Sequence, residues 1–399
     1  MSSPAISMLS KVKRLGLMDR LVKQTIFIGL LGLLGLHTVK AEPMPVPAAP
    51  QVNAKSYLLM DAYSGKILAE KKKDERFEPA SITKLMAAYV IYNEIESGRL
   101  SLEDKVTISE KAWRMGGSKM FVEVGNKVLV DDLLNGMVIQ SGNDATVALA
   151  EHVAGSEDTF ASYMNQYAQR LGMTNSHFVN STGWPAEGHL TSAWDIAILA
   201  RAMIKEFPKQ YERYSEKSFT YNDITQHNRN QLLWRDKSVD GIKTGHTEAA
   251  GYCLVSSAKR DQMRLIAVVL GTTSEKARAD ASQALLNYGF RFFESHKLYD
   301  AGKALNETRI WQGDTDLLAL GLHDDLYVTI PTGQYKNLEA KMDIDSNITA
   351  PVQKGQEVGV VKVSFNGDEV VSVPLVALHD VGEGSFFQRT KDSILKYFQ

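Results

Sequence analysis

Ser81 and Lys84, in the run Pro79-Ala80-Ser81-Ile82-Thr83-Lys84, are the residues best placed by type and spacing to do chemistry. On a helix, side chains three apart are neighbours, with Cβ atoms about 5–6 Å apart. Pro79 suits the opening of a helix, because the first turn has no use for the N–H that proline lacks. An ammonium at the positive end of a helix dipole favours its neutral form. A neutral amine beside a hydroxyl can act as its base, which makes a nucleophile without histidine. A surface helix with a polar face would carry the same four-residue pattern.

Two further segments add weight. Gln140-Ser141-Gly142-Asn143-Asp144 places a Ser and an Asn around one Gly, just before the apolar run Ala145–Ala150. A Gly between them allows a sharp backbone turn that aims both side chains into one space, although Ser, Asn and Asp also serve as ordinary helix caps. Farther on, Asp240-Gly241-Ile242-Lys243-Thr244-Gly245-His246-Thr247 precedes the strand-like Gly251–Ser257. A Gly in a strand marks close approach of a ligand or another backbone, while Lys and Gly also protect edge strands.

The order S-x-x-K, S-x-N, K-T-G is that of the penicillin-binding proteins and class A β-lactamases. With all three present, the chain resembles the penicillin-recognising serine acyl-transferases, and more closely the low-molecular-mass D-alanyl-D-alanine carboxypeptidases. The resemblance extends over nearly everything after residue 41. It implies an α+β fold: a β-lactamase/transpeptidase-like catalytic domain, with an antiparallel sheet and helices, then a small all-β domain and a C-terminal amphipathic helix.

The elements that must position these residues are legible in outline. Ser56–Asp61 and Lys66–Ala69 around Tyr63-Ser64-Gly65 read as a hairpin, and Tyr252–Ser257 with Arg264–Leu270 as a second. Helices are expected from Ser81 to about Glu96 and between about Val130 and Lys205. Strands at both ends and helices between them suggest an α+β layer fold, with the K-T-G strand facing the S-x-x-K helix across a cleft. Beyond Tyr299 the chain turns to short and alternating apolar runs. Asn366-Gly367 is a hairpin signal between two of them. The expected organisation is an export signal at 1–41, a catalytic domain at 42–299, a β domain at 300–385 and a helix at 386–399.

The outermost segments have their own chemistry. Lys11, Lys13, Arg14, Arg20 and Lys23 precede the eleven-residue apolar run Ile26–Leu36, and Val39-Lys40-Ala41 offers a small-residue cleavage signal. An uncleaved anchor is the alternative, and Met18 is an alternative initiator. At 100° per residue, Phe386, Phe387, Ile394, Leu395, Tyr397 and Phe398 share one half of a helix. Gln388, Arg389, Asp392, Ser393 and Lys396 share the other. Such a helix lies in a membrane interface or docks onto its own protein.

Composition narrows the function classes. The chain has 399 residues, 44% hydrophobic and 23% charged, which is ordinary for a globular protein of two domains. Residues 1–41 carry six basic side chains and one acidic, so their removal takes the net charge from −2 to −7. That argues against nucleic acid, which calls for a basic face. The single cysteine, Cys253, excludes an internal disulfide. No H-E-x-x-H or C-x-x-C pair and no Gly-rich phosphate loop is present, so neither metal nor cofactor is expected.

The resemblance implies an acyl-enzyme on Ser81, with Lys84 taking its proton, and an oxyanion hole from the Ser81 N–H and one near His246. Ser141 passes a proton to the leaving amine, and Lys243 tunes that relay and attracts the substrate carboxylate. Asn143 bonds the acyl-chain amide. Thr244, in the Lys243-Thr244-Gly245 strand, bonds the terminal carboxylate. Arg229, in Asn228-Arg229-Asn230, matches the family arginine that helps neutralise that carboxylate, with a surface salt bridge as the alternative. His246 supports the carboxypeptidase branch, in substrate positioning or in lining the cleft. The implied partners are the peptidoglycan stem peptide, β-lactams, and a membrane surface at the C-terminal helix. The implied location is the periplasm, on the outer face of the inner membrane. D,D-endopeptidase and transpeptidase chemistry start from the same half-reaction. A β-lactamase would need a dedicated Glu, for which Glu187 is the loop candidate, and a non-catalytic penicillin-binding scaffold completes the alternatives. The connection Trp113–Phe121 looks shorter than is usual in the family.

Overall fold

The computed structural model describes residues 45–397, so the expected export signal at 1–41, together with Phe398 and Gln399, lies outside the described residues. Both expected hairpins are present. The strands β1 (Ser56–Asp61), β2 (Ile67–Lys71), β3 (Val239–Thr247), β4 (Gly251–Arg260) and β5 (Met263–Thr272) form one antiparallel sheet. Their order is β2-β1-β5-β4-β3, which leaves the K-T-G strand at an edge. There Thr244 pairs with Leu254 and Gly245 with the buried Cys253.

The sheet is covered on both faces. Along β5, Ile266, Val268 and Leu270 enter one core, and Leu265, Ala267 and Val269 enter another. Strand side chains alternate between faces, so a strand apolar at every position requires a layer on each side. One layer is α5 (Glu275–Phe292), whose Leu285, Leu286 and Tyr288 join the second core. The other layer holds α1 (Lys84–Glu96), α2 (Asn143–Ala154), α3 (Glu157–Arg170) and α4 (Ala193–Glu206). Ser156, Ser192 and Ser274 cap α3, α4 and α5 by accepting the N–H three residues on, the usual remedy for unpaired first-turn donors.

Every residue of α1 from Lys84 to Tyr92 is buried. A helix apolar all round belongs in a core, so the polar surface helix is excluded. The single helix expected from Ser81 needs correction as well. Ala80–Thr83 is a 3-10 turn, with Ala80 in the left-handed region at φ 48°, and the α-helix begins at Lys84.

The C-terminal strands are β6 (Phe293–Tyr299), β7 (Asn306–Arg309), β8 (Leu317–Gly321), β9 (Leu326–Pro331), β10 (Leu338–Ile344), β11 (Glu357–Phe365) and β12 (Asp368–Ala377). Five of them form a sheet in the order β7-β8-β12-β11-β10 around Leu318, Leu320, Val361, Val363 and Leu375. β6 follows α5 directly and pairs with β9, so the 299/300 division falls at the end of a strand of this region. Asn366 and Gly367, both at positive φ, make the β11–β12 turn, as a type I′ hairpin requires.

Residues Phe386–Tyr397 form α6. The helix rests on the β region through its polar half. The buried Asp392 carboxylate accepts from the Gln312 N–H at 2.7 Å and from Arg309 at 3.2 Å. Lys396 donates to Thr349 Oγ1. Phe386, Phe387, Ile394 and Leu395 all face outward. Docking onto the protein and presenting an apolar face are therefore compatible here.

Candidate active site

Three segments converge on one cleft of about 640 Å³. Ser81, Asn143 and His246 line it, joined by Gly117, Ser118, Thr182 and Trp184. The K-T-G strand reaches it because Gly245 has no side chain. A Cβ there would stand 3.1 Å from the Pro79 carbonyl oxygen and from Ile82. The edge strand thus lies against the turn that carries Ser81.

Lys84 is the hub. Its Nζ lies 3.0 Å from Ser81 Oγ, 2.7 Å from Asn143 Oδ1 and 2.8 Å from the Thr182 carbonyl oxygen. Burial, and after it the Arg229 guanidinium, pushes its pKa down to about 7. Lys84 is also the first residue of α1, so it stands at the positive end of that helix as well as in the dry interior. A neutral amine has two N–H donors and one lone pair. Asn143 Oδ1 and the Thr182 carbonyl can only accept, so they take both donors. The lone pair is left for the Ser81 hydroxyl.

Ser141 and Asn143 sit at the start of α2, where the sharp turn differs from expectation. A π-helical stretch, Gly136–Gln140, ends at Ser141, and Ser141 itself holds the left-handed conformation at φ 67°. Gly142 is at φ −58°. Ser141 Oγ is buried and has no hydrogen-bond partner among the described residues. No direct hydrogen bond joins Ser141 Oγ to Lys243 among the described residues. Lys243 is buried too, its Nζ donating to the Thr244 carbonyl at 3.3 Å. Burial, with Lys84 and Arg229 next, holds its pKa well below the usual lysine value. Thr244 is buried beside it.

Arg229 is exposed and makes no ion pair among the described residues, so the surface salt bridge is not formed. Its charge depresses both Lys84 and Lys243, which places it in the field of the site. His246 is exposed, its ring tilted 32° against that of Tyr252 with centroids 4.0 Å apart. Glu187 is exposed and does not line the cleft. The carboxylates that do are Glu248, just beyond the K-T-G strand, and Glu78, three residues before the nucleophile, whose Oε2 is buried with no hydrogen-bond partner among the described residues.

Several residues that shape the site were missed. Asp144 looked like a cap, but its carboxylate accepts from the N–H groups of Met120 and Phe121 at 2.9 Å and of Val122 at 3.3 Å. Asn143 Nδ2 donates to the Gly116 carbonyl at 2.8 Å, and the Asn143 N–H to that of Ser118 at 2.7 Å. Together these bonds tie the Trp113–Phe121 connection to the S-x-N turn. Arg278, buried on α5, donates to the Gly245 carbonyl at 3.2 Å. Thr182 acts through its backbone carbonyl, which no side-chain pattern could reveal.

The sequence matches the family described as D-alanyl-D-alanine carboxypeptidase over residues 44–274. It also matches the penicillin-binding protein 5 C-terminal domain over residues 293–383. It is 44% identical over 361 residues to D-alanyl-D-alanine carboxypeptidase DacA of Escherichia coli, covering 88% of this chain and 90% of that one. This chain belongs to the D-alanyl-D-alanine carboxypeptidase family. Among solved structures it is similar to penicillin-binding protein 5 of Haemophilus influenzae, with a TM-score of 0.79 and 42% identity, covering 84% of this chain and 100% of that one. A more distant member, penicillin-binding protein D2 of Listeria monocytogenes in its ampicillin-bound form, has a TM-score of 0.56 at 27% identity and covers 60% of this chain and 100% of its own.

Proposed function

We propose that this protein is a serine D-Ala-D-Ala carboxypeptidase that removes the terminal D-alanine from peptidoglycan stem peptides and is acylated by β-lactams at the same serine. The observation that carries this reading is the Lys84 environment, in which two acceptor-only partners direct the amine lone pair to Ser81 Oγ. Ser81 Oγ attacks the carbonyl of the penultimate D-alanine as Lys84 takes its proton. The N–H groups of Ser81 and His246 hold the developing oxyanion. Ser141 delivers a proton to the departing D-alanine nitrogen as the C–N bond breaks and is reprotonated with the proton that Lys84 took from Ser81. Water then attacks the ester and gives a proton to Lys84, which passes it to Ser81 Oγ as the ester C–O bond breaks and the shortened peptide leaves.

Asn143 bonds the acyl-chain amide, and Thr244 bonds the terminal carboxylate. Lys243 and Arg229 supply positive charge around that carboxylate, and the absence of an anionic partner for Arg229 among the described residues supports this use. His246 lines the acyl side, and Gly245 keeps the strand close enough to serve. Residues 42–299 form the catalytic region and 300–385 the β region. Removal of an export signal at 1–41 places the enzyme in the periplasm. The outward apolar face of α6, in the 386–399 helix, attaches it to the outer face of the inner membrane.

Incubating the purified protein with a diacetyl-Lys-D-Ala-D-Ala tripeptide and following free D-alanine tests the assignment. Release by wild type and none by Ser81→Ala is the expected result. No release, or equal release by the variant, overturns it.

A further inference from the structure

His189, in the loop ahead of α4, has a ring that is 2% exposed. The Val179 backbone N–H donates to Nδ1 at 3.0 Å. A nitrogen that accepts cannot carry the proton, so the neutral ring bears it on Nε2. Nε2 is 2.8 Å from Thr83 Oγ1, to which it donates. Burial, with His177 next, holds the ring pKa down at about 4, which keeps it neutral. Its edge packs on Phe178, with centroids 5.8 Å apart at 78°.

The two groups joined by this ring belong to the two segments that orient Lys84. Thr83 ends the 3-10 turn that carries Ser81 and directly precedes Lys84. Val179 opens the loop whose Thr182 carbonyl accepts from Lys84 Nζ. That loop is stiffened from within, because Asn180 Oδ1 accepts from the N–H groups of Thr182 and Gly183 at 3.2 and 2.8 Å. It also packs without a gap against the nucleophile turn. A Cβ on Gly183 would stand 1.8 Å from the Ala80 carbonyl oxygen.

We propose that His189 is a positioning residue for acyl transfer, a strut between Thr83 and Val179 that fixes the Thr182 carbonyl relative to the Ser81 turn and so keeps the Lys84 lone pair on Ser81 Oγ. The proposal rests on the reading of Ser81 as nucleophile and Lys84 as base. Loss of the strut lets the carbonyl drift, and the amine can then turn a donor toward Ser81. Misplacement by about 1 Å is enough to cost roughly a hundredfold in rate.

The test compares acylation by a fluorescent penicillin in the full chain and in His189→Asn, His189→Gln, Thr83→Val and the His189→Asn/Thr83→Val double variant, with thermal midpoints alongside. Asn keeps an acceptor near Val179 but does not reach Thr83, whereas the Gln amide reaches the Nε2 position. Asn and Val variants are expected to acylate about tenfold to a hundredfold more slowly, with the loss in the acylation step rather than in penicillin affinity. The double variant is expected to be no slower than either single one, and Gln to restore most of the rate. Acylation within about twofold of wild type in both single variants, or independent losses in the double, overturns the strut. Where His189→Asn does not fold, Thr83→Val and His189→Gln decide alone. An inactive wild type overturns the functional reading and this one together; an active wild type matched by the variants overturns this one only.

Discussion

Lys84 Nζ faces Ser81 Oγ at 3.0 Å across a joint between two kinds of helix, with Ser81 in a 3-10 turn and Lys84 the first residue of α1. The joint matters because α1 is sunk in the core while the turn reaches the cleft. One residue is thereby held dry and the other kept accessible. A dry lysine gives up its proton near neutrality, which the chemistry needs and an exposed lysine would not do.

Acylation should therefore rise with pH through about 7 and level off above it, since the working form is the unprotonated amine and Lys84 titrates there. Stopped-flow acylation from pH 5 to 9 measures the profile. Lys84→Met, which removes the base, should lower the plateau by about 10²–10⁴-fold. A rate that does not change across this range would remove Lys84 from the role of base.

Ser141→Ala should slow D-alanine release by about 10²-fold or more yet leave the fold nearly as stable, because Ser141 Oγ forfeits no hydrogen bond within the described residues. The backbone makes a second demand. At φ 67° a residue with a Cβ is strained, so Ser141→Gly should be more stable than Ser141→Ala by about 1 kcal/mol. Urea denaturation of the pair checks the order.

Gly183 and Gly98 form a controlled comparison. Both lie at positive φ, at 82° and 73°, but a Cβ at Gly98 meets nothing within 4 Å, whereas one at Gly183 would overlap the Ala80 carbonyl. Gly98→Ala should cost only the conformational term, about 1–2 kcal/mol. Gly183→Ala should cost more and abolish penicillin labelling by displacing the nucleophile turn. Equal stabilities in denaturation would contradict that packing.

Phe386→Ser with Phe387→Ser should abolish co-sedimentation with phospholipid vesicles while D-alanine release from a soluble tripeptide stays at the wild-type rate. These side chains are 72% and 84% exposed and lie outside the cleft. Burying each ring is worth about 2 kcal/mol of attachment. Continued vesicle binding by the doubly substituted protein would assign attachment to another element.

Much of the fold was legible because its signals are local. The hairpins around Ser64-Gly65 and Asn366-Gly367 follow from turn chemistry, and α6 from a 3.6-residue period. The π-helical stretch before Ser141 was hidden, since nothing in Gly136-Met137-Val138-Ile139-Gln140 distinguishes it from an ordinary helical turn. The outward orientation of α6 was also beyond reach. Amphipathicity says that a helix has two faces but not which one is docked, and the Asp392 bond to the Gln312 N–H decides it.

The site divides in the same way. Ser81, Lys84, Ser141, Asn143, Lys243 and Thr244 were named from motif order, because a reaction needs particular side chains in a particular succession. Asp144, Thr182, His189 and Arg278 were not. Each contributes through a backbone bond or through a partner far along the chain, and such contacts leave no periodicity to read. By itself the sequence determined which groups are available, in what order, and that the chain belongs with serine acyl-transferases. The tertiary structure alone decided that Lys84 is dry, that its two donors are already taken by Asn143 and Thr182, and that its lone pair therefore points at Ser81. Burial and hydrogen-bond direction are properties of the assembled fold, and neither exists until segments a hundred residues apart have met.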